Sequence, residues 1–221
     1  MAARRSEKVE PHGRTDTDTR GEKTRRAIKK TISRLAMRRE LADITLAEIC
    51  KGAKLTTGAV YFHFKGKDDA IEEMVIDEIR EVYADTVRAL DGLDFAQLIV
   101  VFLDRSWAYH TKKKFLPRAI QIIINTRQPA YQTWLTARRP LIEVFEVAIT
   151  EKRREHGLLE SAAPFLAHYI LNAMEDLAMD AFQWGNPTLA PFAADKDLWN
   201  QRQRELWSWA VMAPMADPPS S

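Results

Sequence analysis

The sequence predicts an all-α protein, and three observations carry that prediction. Apolar residues recur at helical spacing in run after run, no stretch alternates apolar and polar residues as a half-buried strand does, and the runs are separated by breaks rich in Gly, Pro, Asn and Lys. With 221 residues, 46% of them hydrophobic and 29% charged, the chain has the balance of a folded protein and room for one ordinary domain plus a small one.

Residues 1–20 are polar, hold Pro11 and Gly13 and show no apolar period, so a flexible basic arm is expected there. From Glu22, the spacing of Ala27, Ile28, Thr31, Ile32 and Leu35 predicts an amphipathic helix with a basic opposite face of Arg25, Lys29, Lys30 and Arg34. Thr45 followed by Glu48 has the capping-box pattern and starts a short second helix, which Lys51-Gly52-Ala53-Lys54 interrupts. Thr56 then caps a third helix, Thr57 to Phe64, closed by Lys65-Gly66-Lys67. A long connecting helix follows from about Lys67 to Leu90, with Asp68, Asp69, Glu72 and Glu73 at its positive end. Beyond Gly92, helices are expected over Asp94–His110, Phe115–Asn125, Ala130–His156, Ala162–Trp184 and Asp197–Met212, with a frayed tail over residues 214–221.

Charge divides the chain in the same place. Residues 1–67 carry 17 Lys and Arg against 8 Asp and Glu, a balance of +9, whereas residues 68–221 carry 16 against 23, a balance of −7. A basic first third attracts phosphate and an acidic remainder lies poorly on nucleic acid, so the two parts are expected to do different jobs. The domain organisation read from this is an arm (1–20), a small basic domain (21–80), a larger helical domain (81–213) and a tail (214–221).

Two short helices across a tight turn, flanked by a basic helix and a long one, form a helix-turn-helix over residues 44–63, which sets its second helix in a major groove. Thr56, Thr57, Gly58, Ala59 and His63 are the candidate base readers. Gly58 and Ala59 permit close backbone approach, and the methyls of Thr57 and Ala59 suit a thymine methyl. Tyr61, Thr45, Lys65 and Lys67 are candidate phosphate contacts that fix register. Ile44, Leu46, Ile49, Leu55, Val60 and Phe64 read as core, and Cys50 as packing.

The stretch from Ile49 to Lys67 closely resembles the tetracycline-repressor-like (TetR) family, whose pattern runs Ala-Gly-Val-Ser/Thr-x-Gly-x-x-Tyr-x-His-Phe-x-x-Lys. Ala53, Leu55, Thr56, Gly58, Tyr61, His63, Phe64 and Lys67 occupy the matching places. The sequence resemblance covers about Gly21 to Ile79. One position departs from it: Lys54 stands where the turn usually has Gly, so a left-handed non-Gly residue with an added phosphate-seeking charge is expected.

The resemblance implies a regulator of transcription whose larger domain binds a small effector and forms a homodimer through its last two long helices. It implies a repressor on a palindromic DNA operator, since occupying an operator needs no additional contact surface. Those two helices carry apolar residues on more than one face, namely Phe165, Tyr169, Leu171, Met174 and Leu177 on one and Leu198, Leu206, Trp207, Trp209 and Val211 on the other. Candidate effector-pocket residues are Phe102, Trp107, His110, Phe115, Asn125, Trp134, His168, Asn172 and Glu175, with Ile122 and Phe145 beside them. Bulky walls with a few hydrogen-bonding groups suit a mostly apolar or aromatic effector.

Other classes find little in the sequence. No HExxH, phosphate-binding Gly loop, G-x-S-x-G elbow or dinucleotide fingerprint accompanies His110, His168, Glu175 and Asp176, so no enzyme and no cofactor are expected. The single Cys50 makes neither an internal disulfide nor a thiolate zinc site, and no apolar run reaches membrane-spanning length, which together place the protein in the cytoplasm. The remaining alternative is a DNA-organising protein with no effector, in which the larger domain would have a filled core.

Overall fold

The computed structural model describes residues 19–215, and these are helical throughout, with no strand among them. Of the arm expected over residues 1–20 and the tail expected over residues 214–221, residues 1–18 and 216–221 lie outside the described residues. The helices are α1 (Arg20–Ala36), α2 (Leu46–Ala53), α3 (Thr57–His63), α4 (Lys67–Leu90), α5 (Phe95–Lys112), α6 (Leu116–Thr126), α7 (Gln128–Glu155), α8 (Ala163–Ala178), a single turn α9 (Ala190–Ala193) and α10 (Lys196–Met212).

Local chemistry accounts for most of the boundaries. Thr19, Thr45 and Asp94 close capping boxes with Glu22, Glu48 and Gln97, and Thr56 and Asp195 cap α3 and α10. Because Thr19 is a cap, α1 begins at Arg20, two residues before Glu22, and Arg20 belongs to the helix and not to the arm. Proline occupies the first turn of α6, α7, α8 and α9, where its missing N–H has no helical partner to lose. The run expected as one helix to Trp184 changes character: regular α-helix stops at Ala178 and a π-helical turn, Met179–Gln183, carries the chain on.

Two cores share the long helix α4. Ile28 and Ile32 of α1, Ile49 of α2, Val60 and Phe64 around α3 and Ile71, Met74, Val75 and Ile79 of α4 form the first, which also takes in Leu116 and Ile124 of α6. Leu90 at the other end of α4 joins the second with α5, α7, α8 and α10. Arg25 and Lys29 of α1 form ion pairs with Glu73 and Asp77 of α4, so half of the basic face read from the sequence is spent on clamping the two helices together.

The far end of the second core is tied by a charge. Arg153 of α7 is wholly buried; its Nε donates to the Leu159 carbonyl (2.6 Å) and its Nη1 to the Val211 and Ala213 carbonyls (2.7 and 3.1 Å), capping the C-terminus of α10. Outside this core, α8 and α10 turn Phe165, Tyr169, Leu206 and Trp209 to solvent. Among the described residues no helix is long and apolar enough to cross a membrane.

Candidate DNA-reading surface and effector cavity

The turn between α2 and α3 is built as its residues dictate. Lys54 adopts φ 57° and ψ 45° and its backbone N–H donates to the Cys50 and Lys51 carbonyls, so the left-handed cap is made by a lysine where glycine would cost nothing. It is the only non-Gly residue with positive φ among the described residues. Thr56 Oγ1 then accepts from the Ala59 N–H (3.2 Å) and starts α3. The Cys50 thiol, buried, lies 3.8 Å from Thr57 Oγ1 and packs the two helices together.

α3 lays its residues out in two sets. Val60 and the following Phe64 are buried, while Thr57, Gly58, Tyr61 and Phe62 are exposed and Ala59 and His63 are half-buried. A Cβ on Gly58 would meet nothing within 4 Å, so no protein neighbour requires a glycine there. Lys54 and Lys65 flank this surface in solvent and Lys67 is half-buried. The His63 carbonyl accepts from Arg25 Nη1, whose guanidinium also stands 4.4 Å from the Phe64 ring, and this fixes the end of α3 on α1.

Thr45 is placed differently from the other candidates. Its N–H and hydroxyl both donate to Glu48 Oε2 (3.0 and 2.8 Å). Those bonds, from the Thr45 backbone first and its hydroxyl second, with Arg39 adding its own, hold the Glu48 carboxyl down to about 2. A phosphate at this helix start meets a carboxylate already in place. Phe62, 85% exposed, is the residue on this face that sequence reasoning missed, although its position between two motif residues was the available signal.

Behind α4, a cavity of about 520 Å³ opens between α4, α5, α6, α7 and α8. Phe102, His110, Trp134, Asn172 and Glu175 line it. Three of these are joined by one hydrogen-bond network. Trp134 Nε1 donates to the Tyr83 hydroxyl (3.0 Å), which donates to Glu175 Oε1 (3.0 Å); Arg138 lies 3.4 Å from both Glu175 oxygens and donates to Asn172 Oδ1 (2.8 Å). Burial pushes the Glu175 carboxyl up against the opposing pull of Arg138; the third of its side chain that remains accessible faces the cavity. Burial and the Glu175 charge together push the Tyr83 hydroxyl far above its usual range, so it stays a donor. His110, half-buried and stacked on Phe182 with centroids 5.6 Å apart, is held down to about 4 by desolvation and is neutral at physiological pH.

The other candidates lie elsewhere. Trp107 packs edge-on to Phe182 (5.0 Å) in a small cluster with Trp199, and Phe145 sits in the second core against Phe102. Phe115 is half-buried beneath Lys114 at the start of α6. Asn125 and Ile122 are exposed on α6. His168 is exposed on α8, with Nδ1 2.9 Å from the Pro164 carbonyl oxygen. Tyr83 and Arg138 were not anticipated; Arg138, one turn after Trp134 on the same face of α7, was legible only as half of a basic Arg138-Arg139 pair.

The wall is mechanically connected to the first domain. Ile79 and Val82 of α4 and Pro117, Ile120, Gln121 and Ile124 of α6 line the cavity. Ile79 and Ile124 also belong to the core beneath α3. Arg118 of α6 donates to Glu40 Oε1 (3.1 Å) just before α2, while its guanidinium stands 4.6 Å from the Trp184 ring. Lys113 pairs with the buried Glu78 of α4. Among the described residues no group of three or more His, Cys, Asp or Glu is placed to hold a metal ion.

Residues 29–74 match the model for bacterial regulatory proteins of the tetR family. No curated protein sequence matches the chain. Solved structures resemble it over most of its length. A TerR/AcrR-family transcriptional regulator from Aquifex aeolicus is 19% identical with a TM-score of 0.59, covering 85% of this chain and 99% of its own. A protein of Saccharomonospora viridis solved with choline is 14% identical with a TM-score of 0.68, covering 84% and 96%. The regulator FadR from Bacillus subtilis, solved with stearoyl-CoA, is 11% identical with a TM-score of 0.57, covering 86% and 96%. At such identities the structures share a fold, and it is residues 29–74, around the helix-turn-helix, that are similar to bacterial regulatory proteins of the tetR family.

Proposed function

We propose that the protein is a transcriptional repressor that holds a palindromic DNA operator as a homodimer and is released by a small, mostly apolar or aromatic effector bound in the cavity. The observation that carries this reading is that α4 and α6 each give residues both to the cavity wall and to the core beneath α3. An occupant that displaces either helix moves the floor on which the reader stands, and two readers must stay about one helical turn of DNA apart to hold both half-sites. The base readers are Thr56, Thr57, Gly58, Ala59 and His63; Tyr61, Lys54, Lys65 and Lys67 grip phosphate, with Phe62 beside them. The exposed aromatic and aliphatic residues of α8 and α10 supply the dimer face.

The open cavity, with His110 and Asn172 in its wall, favours a sensor over a DNA-organising protein with a filled core. Relatives of this fold solved with choline and with stearoyl-CoA support small-molecule binding in general and differ too much chemically to nominate an effector.

The test is binding of the purified protein to the DNA flanking its own gene at several salt concentrations, for wild type and Tyr61→Ala. Palindrome-selective binding that weakens with salt, and that Tyr61→Ala weakens by about tenfold or more, is expected, since each 1.4 kcal/mol is a factor of ten. Equal affinity for unrelated DNA, or an undiminished mutant, overturns the proposed reading surface.

A further inference from the structure

Half of the charges in the cavity wall already have partners within the chain. Glu175 is held by Arg138, Lys113 by Glu78 and Asp85 by Arg88. Lys112 and Asp176 are exposed to water. Arg105 of α5 differs from all of these: it lines the cavity half-buried, it has no carboxylate partner among the described residues, and its Nε is buried with no hydrogen bond. Leaving a guanidinium donor unmade in a low-dielectric wall is costly, and charges so placed are normally paired.

Its neighbours on α5 are also unspent donors. Ser106 follows directly and Tyr109 lies one turn on; both line the cavity, and neither hydroxyl has a hydrogen-bond partner among the described residues. Burial, with Glu78 nearby, pushes the Tyr109 hydroxyl well above its usual range, so it remains a neutral donor. Across the cavity, Val82, Ile120, Ile124 and Leu141 offer an apolar wall closed by Trp134.

Building on the sensor reading above, we infer that the effector is an apolar organic acid, its carboxylate held by Arg105 with the Ser106 and Tyr109 hydroxyls and its hydrocarbon body against the wall of α4, α6 and α7. Guanidinium matches a carboxylate with two parallel hydrogen bonds, and a neutral or cationic compound of the same body leaves the arginine unpaired. Arg105 is then a residue kept for its ligand at the expense of the empty protein.

The experiment uses the full chain and matched probes on two bodies, octyl and 4-phenylbutyl, each as the carboxylate, the alcohol and the trimethylammonium. Binding is read by calorimetry and by Trp fluorescence, with wild type and Arg105→Met. The acids are expected to bind at least tenfold more tightly than the alcohols and cations. Arg105→Met is expected to remove that preference, leave alcohol affinity unchanged, and raise the melting temperature of the empty protein. Alcohols or cations binding as well as acids, or Arg105→Met leaving acid affinity intact, overturns the carboxylate assignment while the sensor reading stands. Binding of none of the six probes overturns both.

Discussion

Gly58 is where local stability and the proposed function pull apart. It occupies the second position of α3, exposed, with open space where a Cβ would stand. Alanine is favoured over glycine in a helix by about 0.5–1 kcal/mol, and nothing in the protein offsets that preference here. Gly58→Ala is therefore expected to stabilise the first domain by about that amount in denaturant melts while weakening operator binding on the order of tenfold, because the methyl meets the duplex and not the protein. A variant that is more stable and binds as well as wild type would remove Gly58 from the reading surface. Residues whose role is local were readable in this way from sequence: the caps Thr45 and Thr56 and the left-handed Lys54 follow from neighbours one to four positions away. Cavity residues were less so. Trp134, Asn172 and Glu175 could be named as bulky or polar, but His168 and Asn125 have the same character and point to solvent, because the face a helix turns inward is decided by partners far away in sequence.

At the scale of elements, the apolar period located every long helix, and the differences lie where tertiary contact overrides it. Gly52 reads in sequence as a helix breaker, yet it sits inside α2, one residue from its end. The reason is a close approach: a Cβ there would stand 2.5 Å from Thr31 Cγ2 and 3.1 Å from Arg34 Nη2 of α1. Thr31 is buried and β-branched, so it cannot swing aside, and α1 and α2 would have to part. Gly52→Ala is expected to destabilise the first domain by about 1–3 kcal/mol despite the better helix former. Thr31→Ser, which deletes the methyl and keeps the hydroxyl, is expected to restore most of the loss in the double variant. A melting temperature for Gly52→Ala at or above wild type would show that α1 and α2 approach less closely. The π-helical turn at Met179–Gln183 was illegible for a related reason: it places Phe182 between His110, Trp107 and Trp199, partners 17 to 75 residues away that no local pattern announces.

For the whole molecule, the question is what the second face of α8 and α10 is for. Phe165, Tyr169, Leu206 and Trp209 are 64%, 53%, 48% and 71% exposed, and soluble monomers seldom leave such residues together in water. Phe165 and Tyr169 stack with centroids 6.2 Å apart, and Tyr169 reaches the buried Trp207 of α10 at 6.3 Å, which packs the two helices side by side. A two-fold interface pairs one surface with the same surface on a second copy, and this is the dimer face proposed above. The proposed dimer would also account for the division of charge along the chain, since two basic reading domains would share one DNA site while the acidic halves met by apolar contact, away from phosphate. Wild type is expected to sediment as a dimer at micromolar concentration, and the double variant Phe165→Glu/Trp209→Glu as a folded monomer with unchanged helical content. Its affinity for a single half-site should match wild type, while its affinity for the full palindrome should fall to the half-site level, because each subunit then binds alone and the linkage between half-sites is lost. A variant that still sediments as a dimer would move the interface elsewhere. A monomer that keeps full palindrome affinity would break the link between dimerisation and operator recognition.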